Sequence, residues 1–127
     1  MLYGVNGEIT MQWAVISDPQ KYVMDVLASE AGDVPDEKIH QGNWVLDTVS
    51  LDDIRIDQRV ASDHENDPLH TKRRDGFVAS ITAGKEIKPL IVLGDDLFLV
   101  DGYARYRAMK LLNVKRVRVL RQKLTDK

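Results

Sequence analysis

The stretch LFLVDGYARYRAMKLLNV, Leu97 to Val114, decides how the rest of the chain is read. Leu97–Val100 is a short apolar run, long enough for a buried strand and too short for a helix. Asp101-Gly102 breaks it, and from Tyr103 the apolar spacing becomes helical. Ala104, Ala108, Leu111 and Leu112 fall on one predicted buried stripe, with Tyr103, Tyr106 and Lys110 pointing away from it. The segment is therefore a predicted strand, glycine turn and helix, with Arg105 in the first helical turn. First-turn N–H groups lack intrahelical partners and, with the helix dipole, attract anions. Two readings follow. In one, Arg105 sits beside a phosphate or carboxylate site. In the other, Asp101 caps an ordinary helix and Arg105 is solvated. Asp101 has a catalytic alternative, as a metal or hydroxyl contact in phosphoryl transfer.

Downstream, Asn113 ends the helix, and Val114–Leu120 reads as a last strand carrying Arg116 and Arg118 along one basic edge. Upstream, Pro89–Leu93 is a short apolar strand, and Gly94-Asp95-Asp96 turns it into the central stretch. Asp67-Pro68 is an N-cap and first-position pair opening a helix to about Gly84, with Phe77, Val78 and Ile81 inward. Lys72, Arg73 and Arg74 lie near its start, where the dipole disfavours cations, so they either hold an anion or acidic neighbour or form a solvated basic turn.

Val60–His70 is polar and reads as a mobile loop. Asp63, His64, Glu65, Asp67 and His70 are metal-ligand types, but their spacing matches no closed site, and no metal is assigned. Trp44–Leu51 reads as a strand and Asp52–Ile56 as a tight turn with Ile54 and Ile56 inward. In the first third, Asn6-Gly7 signals a hairpin between LYGV and EITMQWAVI. Asp18-Pro19 opens a helix through Tyr22, Val23, Val26 and Leu27, with Gly32 as its stop. Asp33–Gly42 is turn-rich, with one helical turn expected near Pro35. The expectation is an α+β fold, a small mixed sheet with packed helices. Residues 1–43 form an N-terminal hairpin–helix extension on a main domain, 44–127.

Composition narrows the chemistry. The 127 residues fit one domain with a real core. The absence of cysteine excludes disulfides, thiolate nucleophiles and zinc–thiolate sites. No run of eighteen apolar residues suggests a membrane span, and MLYGVNGEIT has no signal-peptide pattern, so the expected location is cytoplasmic. A net charge of −2 conceals two unlike parts. Residues 1–70 carry four basic and fourteen acidic residues, whereas 71–127 carry fourteen basic and six acidic. Either the two parts pair within the fold, or the second presents a basic face to DNA or an acidic protein.

Residues 44–121 resemble the N-terminal domain of ParB partition proteins and the wider ParB/sulfiredoxin superfamily. The segments come in the family's order. They are Val49-Ser50-Leu51-Asp52-Asp53-Ile54, the box Asp57-Gln58-Arg59, then Ser80–Gly84 followed by Pro89–Val92, and finally Val100-Asp101-Gly102-Tyr103-Ala104-Arg105-Tyr106-Arg107-Ala108. The resemblance implies nucleotide phosphates at the helix start after Gly102, with ATP or CTP and Mg²⁺ as cofactors, and an NTPase or phosphotransferase as the reaction class. Arg105 matches the second Arg of the partition motif Gly-Glu-Arg-Arg and the Arg of the sulfiredoxin motif Gly-Cys-His-Arg. Gly102 matches the Gly of both, and Arg107 a frequent basic position. Tyr103 and Ala104 depart from both motifs, and without cysteine sulfiredoxin chemistry is excluded.

The implied phosphate and nucleotide set is Gly102, Tyr103, Arg105 and Arg107, with Gln58, Arg59 and Lys88 across the cleft. Arg107 has the alternative of an ion pair with the acidic half, and Tyr103 and Tyr106 could stack a base. The competing reading is a non-catalytic module meeting DNA or an acidic protein through Arg116 and Arg118, and a nuclease ranks below both. A homodimer stays open. A helix-turn-helix DNA reader is not expected within these residues.

Overall fold

The computed structural model describes residues 9–30 and 43–123. Its central sheet has four strands in the order β2 (Asn43–Ser50), β6 (Arg116–Lys123), β4 (Leu90–Leu93), β5 (Phe98–Asp101). β2 and β6 run antiparallel over eight residue pairs, from Asn43 opposite Lys123 to Ser50 opposite Arg116. β4 joins β6 in parallel and β5 in antiparallel, with a register shift between Ile91 and Val92. Arg55 extends the outer edge of β5, its N–H donating to Leu97 O at 3.1 Å and its carbonyl accepting from Leu99 N at 2.8 Å. The sheet is mixed, and the fold is the expected α+β class.

Alternation sorts the strand residues into two cores. Leu90, Val92, Leu99, Val117 and Val119 face one side, against Ile81 of α3 (Pro68–Thr82) and Ala108 and Met109 of α4 (Tyr103–Leu111). Ile91 and Leu120 face the other side, against Trp44 and the i, i+4 pair Val23 and Leu27 of α1 (Pro19–Glu30). The result is three layers, with α1 beneath the sheet and α3 and α4 above it. Asp18 fixes the start of α1 by accepting from Lys21 N at 3.1 Å, with Pro19 at the first position. Gln20 ties α1 to the sheet through Trp44 N at 3.2 Å.

The 67–84 helix forms as expected. Asp67 accepts from Leu69 N, and the helix closes with Gly84 at φ +77, its N–H donating to Ile81 O and that of Lys85 to Ser80 O. That pair of bonds needs a left-handed residue, which Gly adopts without a Cβ penalty. After a single 3₁₀ turn at Leu51–Asp53, Ile54 is buried and Ile56 half-buried. Asn113, at φ +61, ends the α4 region.

Three expectations are corrected. Val60–His70 is not a loop: Gln58–Asn66 forms α2, capped by Asp57, which accepts from Arg59 N at 2.8 Å and Val60 N at 3.4 Å. Polar composition had concealed a helix that buries no residue and is held by its cap and by contacts to α4. On α4, Leu111 is 60% exposed while Tyr106, Arg107, Ala108 and Met109 are all buried. A single-stripe wheel cannot anticipate this, because α3 covers a second side of α4. Asp101 does not cap α4; Gly102 stands at that position and Asp101 ends β5. Gln12–Trp13 (β1) pairs in parallel with Glu86–Ile87 (β3). The turn and first arm of the expected hairpin, Gly32, and the turn near Pro35 lie outside the described residues. Among the described residues, no helix is long and apolar enough to cross a membrane.

Candidate functional site

Gly102 carries the chain from β5 into α4 at φ +103, and only glycine fits there. A Cβ at this position would stand 2.6 Å from Leu90 Cδ2 and 3.2 Å from Arg105 Nη2. No side chain caps the helix, so its first-turn N–H groups keep their capacity to bind an anion.

Arg105 locks this corner. Nη1 donates to Lys88 O at 2.9 Å and Pro89 O at 3.0 Å, and Nη2 donates to Asp101 Oδ2 at 2.7 Å. Both members of the ion pair are largely enclosed, with side-chain exposures of 12% and 14%. The geometry is that of a charge-assisted clamp joining the first turn of α4 to the beginning of β4 and the end of β5. Arg105 thus reaches the site with much of its guanidinium already engaged.

A cleft of about 990 Å³ opens beside this corner. One wall is Leu93 and the Phe98–Arg105 segment. The other comes from α2 and α3, through Asp57, Val60, His64, His70, Arg73, Gly76, Phe77 and Ser80. Tyr103 bridges the walls, its hydroxyl accepting from Asp57 N–H at 3.2 Å. Burial pushes the Tyr103 phenol above its usual range, against the opposing effect of the Asp57 N–H that it accepts. His64 and His70 stack with centroids 3.8 Å apart and planes 13° apart, and His64 meets the Tyr103 ring at 5.0 Å. His64 is held below the ordinary imidazole range, by burial first, then by His70 and Arg107.

Of the residues singled out from sequence, Asp101, Gly102, Tyr103 and Arg105 line the cleft together. Arg107 points elsewhere: buried to 9% exposure, it donates to His64 O at 3.1 Å and Glu65 Oε1 at 2.8 Å. This is the ion pair with the acidic half that its alternative reading described. Gln58 and Arg59 are exposed at the start of α2, next to the lining residue Asp57. Lys88 contributes its carbonyl to the clamp, while its ammonium lies 5.9 Å over the Tyr22 ring of α1. Arg116 and Arg118 are exposed on β6, away from the cleft, and Tyr106 is buried. Arg73, Phe77, Phe98 and the histidine pair enter the site without having been assigned to it. Arg73 was legible as a cation at a helix start, but no spacing rule joins His64 to His70 across the break at Asp67.

The site has the donor set for phosphates: an uncapped helix start, Arg73, and aromatic rings that could receive a base. For Mg²⁺ the fit is poorer. Asp57 is committed to the α2 cap and Asp101 to Arg105, and the described residues contain no group of three or more potential ligands.

No family model and no curated protein sequence matches this chain. Solved structures do. A pNOB8-like ParB N-domain matches at 26% identity with a TM-score of 0.50, over 65% of this chain and 29% of that one. Sulfiredoxin from Arabidopsis thaliana matches at 24% identity and a TM-score of 0.49, over 62% of this chain and 85% of that one. A free serine kinase solved with AMP matches at 21% identity and a TM-score of 0.43, over 72% and 34%. The chain spans under a third of the length of the ParB chain it matches. The fold is similar to that of the ParB N-domain.

Proposed function

We propose that the chain binds a nucleotide, with its phosphates against the first turn of α4. The observation that supports this reading is the opening of that uncapped helix start into a cleft of about 990 Å³ lined by Arg73. In this reading the N–H groups of the Tyr103–Arg105 turn meet the phosphates, and Arg73 supplies charge from the opposite wall. Arg105 orients the turn through Asp101 and the two carbonyls and offers its remaining N–H groups to the ligand. Phe77, Phe98 or Tyr103 takes the base. ATP and CTP are the candidates carried by the ParB-type resemblance, with Mg²⁺ arriving on the phosphates, since it binds through one or two carboxylates at most. Whether transfer or hydrolysis follows is a separate question, because Tyr103 and Ala104 replace the side chains of the related motifs.

The test is a thermal-shift series with ATP, CTP and AMP at millimolar concentration, with and without Mg²⁺. A bound nucleotide raises the midpoint by about 2–8 °C, and Arg73→Ala removes the rise. No shift with any nucleotide overturns the reading.

A second reading places DNA or an acidic protein on β6. Arg116 and Arg118 share one sheet face with Thr48 and Ser50, all outside the buried contact with α1. Binding there would weaken steeply with salt and be lost in Arg116→Ala/Arg118→Ala. Binding that is insensitive to salt, or retained in the double variant, counts against it.

A further inference from the structure

The reading above leaves the stacked pair His64–His70 without a role, although both imidazoles line the cleft. Neither ring is an ordinary core histidine. Both Nδ1 atoms are buried with no hydrogen-bond partner among the described residues. A buried unsatisfied N–H is rarer in proteins than an unsatisfied acceptor. The buried Nδ1 is therefore best accommodated as a lone pair, which places the hydrogen of each neutral ring on Nε2. Since both residues line the cleft and both Nδ1 atoms are buried, Nε2 is the ring nitrogen of each that remains for a ligand.

The surroundings of His64 disfavour its protonation. Arg107 approaches His64 from α4, and His70 stacks on it from α3; both oppose a proton on His64, as does burial. Asp63 on α2 and Asp67 at the α2–α3 junction act in the opposite sense and more weakly. Asp67 Oδ2 is 3.8 Å from His70 Nε2, too long for a hydrogen bond, so that donor is uncommitted. A shared metal ion is excluded by the stacking. An imidazole ligates in its own ring plane, and two planes 13° apart and 3.8 Å between centroids do not meet at a common coordination distance.

What remains is a pair of imidazole N–H donors on rings whose centroids lie 3.8 Å apart, both lining a cleft that also contains Arg73 and the α4 start. Two such donors suit two oxygens of one oxyanion or of adjoining phosphoryl groups. We infer that His64 and His70 act jointly as hydrogen-bond donors to a phosphoryl oxyanion, opposite the first turn of α4. This rests on the nucleotide reading of the cleft and adds the residues that hold the phosphoryl end on the α2–α3 wall. Because α2 buries no residue of its own, the same contact would also fix α2 against the cleft when ligand is bound.

The test uses the full chain and inorganic pyrophosphate, followed by calorimetry and by long-range ¹H–¹⁵N spectra of the imidazoles at pH 7.5. Both rings are expected as Nε2–H tautomers, with their Nε2 resonances moving on titration. His70→Phe keeps a stacked ring and removes the donor, and it is expected to weaken pyrophosphate binding about tenfold or more, as loss of a hydrogen bond to a charged group does. His70→Gln, which keeps an N–H donor, recovers part of that loss. His64→Phe is the matching variant on α2, and thermal unfolding of each variant confirms that it is folded. If pyrophosphate binds His70→Phe and His64→Phe as tightly as the parent, the histidine assignment is overturned while the nucleotide reading stands. If the parent binds neither pyrophosphate nor any nucleotide, both fall. An Nδ1–H tautomer in either ring also overturns the inference.

Discussion

At Gly102 one missing methyl group holds the site open. An alanine there would occupy a left-handed conformation and press its Cβ to 2.6 Å from Leu90. Strain of about 1–3 kcal/mol and a comparable overpacking term lead to an expected loss of about 2–6 kcal/mol, read by chemical denaturation. A loss below about 1 kcal/mol would mean that the backbone relaxes and that the corner is not the fixed element described. The neighbouring clamp gives a second expectation. Arg105→Met leaves Asp101 enclosed and unpaired, and removing one partner of a buried pair costs about 3–5 kcal/mol. Asp101→Asn in the same chain removes the stranded charge, so the double variant is expected to be more stable than Arg105→Met alone. If the two losses simply add, the ion pair is not what couples these residues.

At the scale of the element, α2 is the least anchored wall of the site. It buries no residue, and its ties are the Asp57–Tyr103 hydrogen bond, Arg107 to His64 O and Glu65, and the imidazole stack. The folded state lowers the affinity of His64 for a proton. Its neutral form therefore contributes stability that is present above the ordinary histidine value of about 6.5. That contribution is lost as pH falls below this value toward the lower folded one. Protection factors of the amides of residues 60–66 are expected to fall between pH 7.5 and 5 relative to those of β4 and β6, and His64→Gln to flatten the difference. An equal fall in parent and variant would remove His64 as the cause. This helix was also the least legible part of the sequence. Its polar run reads as a loop because its stability comes from a cap and from distant arginine contacts, neither of which leaves an apolar period. By contrast, α3 announced itself through Asp67-Pro68 and Gly84, and α4 through the break at Asp101-Gly102. These signals are local. The burial of Tyr106 and Arg107 was not legible, because it depends on which other helix covers α4.

For the whole molecule, the charge asymmetry resolves partly into pairs between the two parts of the chain: Arg107–Glu65, Lys110–Asp52 and Arg121–Asp47. The last two are exposed enough that each contributes about 0–1 kcal/mol, so they help orient the layers without holding them. Apolar burial does that, and α1 takes part in it. Val23 and Leu27 of α1 close a core made otherwise of Trp44, Ile91 and Leu120, with Leu46, Leu93 and Val100 around it. We propose that α1 is a structural layer of the domain, inseparable from residues 44–123. Leu120→Ala is expected to cost about 2–5 kcal/mol, because its side chain is fully enclosed between β6 and α1. Deleting residues 1–30 uncovers that whole sheet face at once, and an apolar patch of this kind drives association. The truncated chain is therefore expected to elute as an oligomer or aggregate, or to lose its cooperative unfolding transition. A truncated chain that stays monomeric and unfolds at the parent's midpoint would show α1 to be dispensable, and would return the first third of the sequence to the status of an extension.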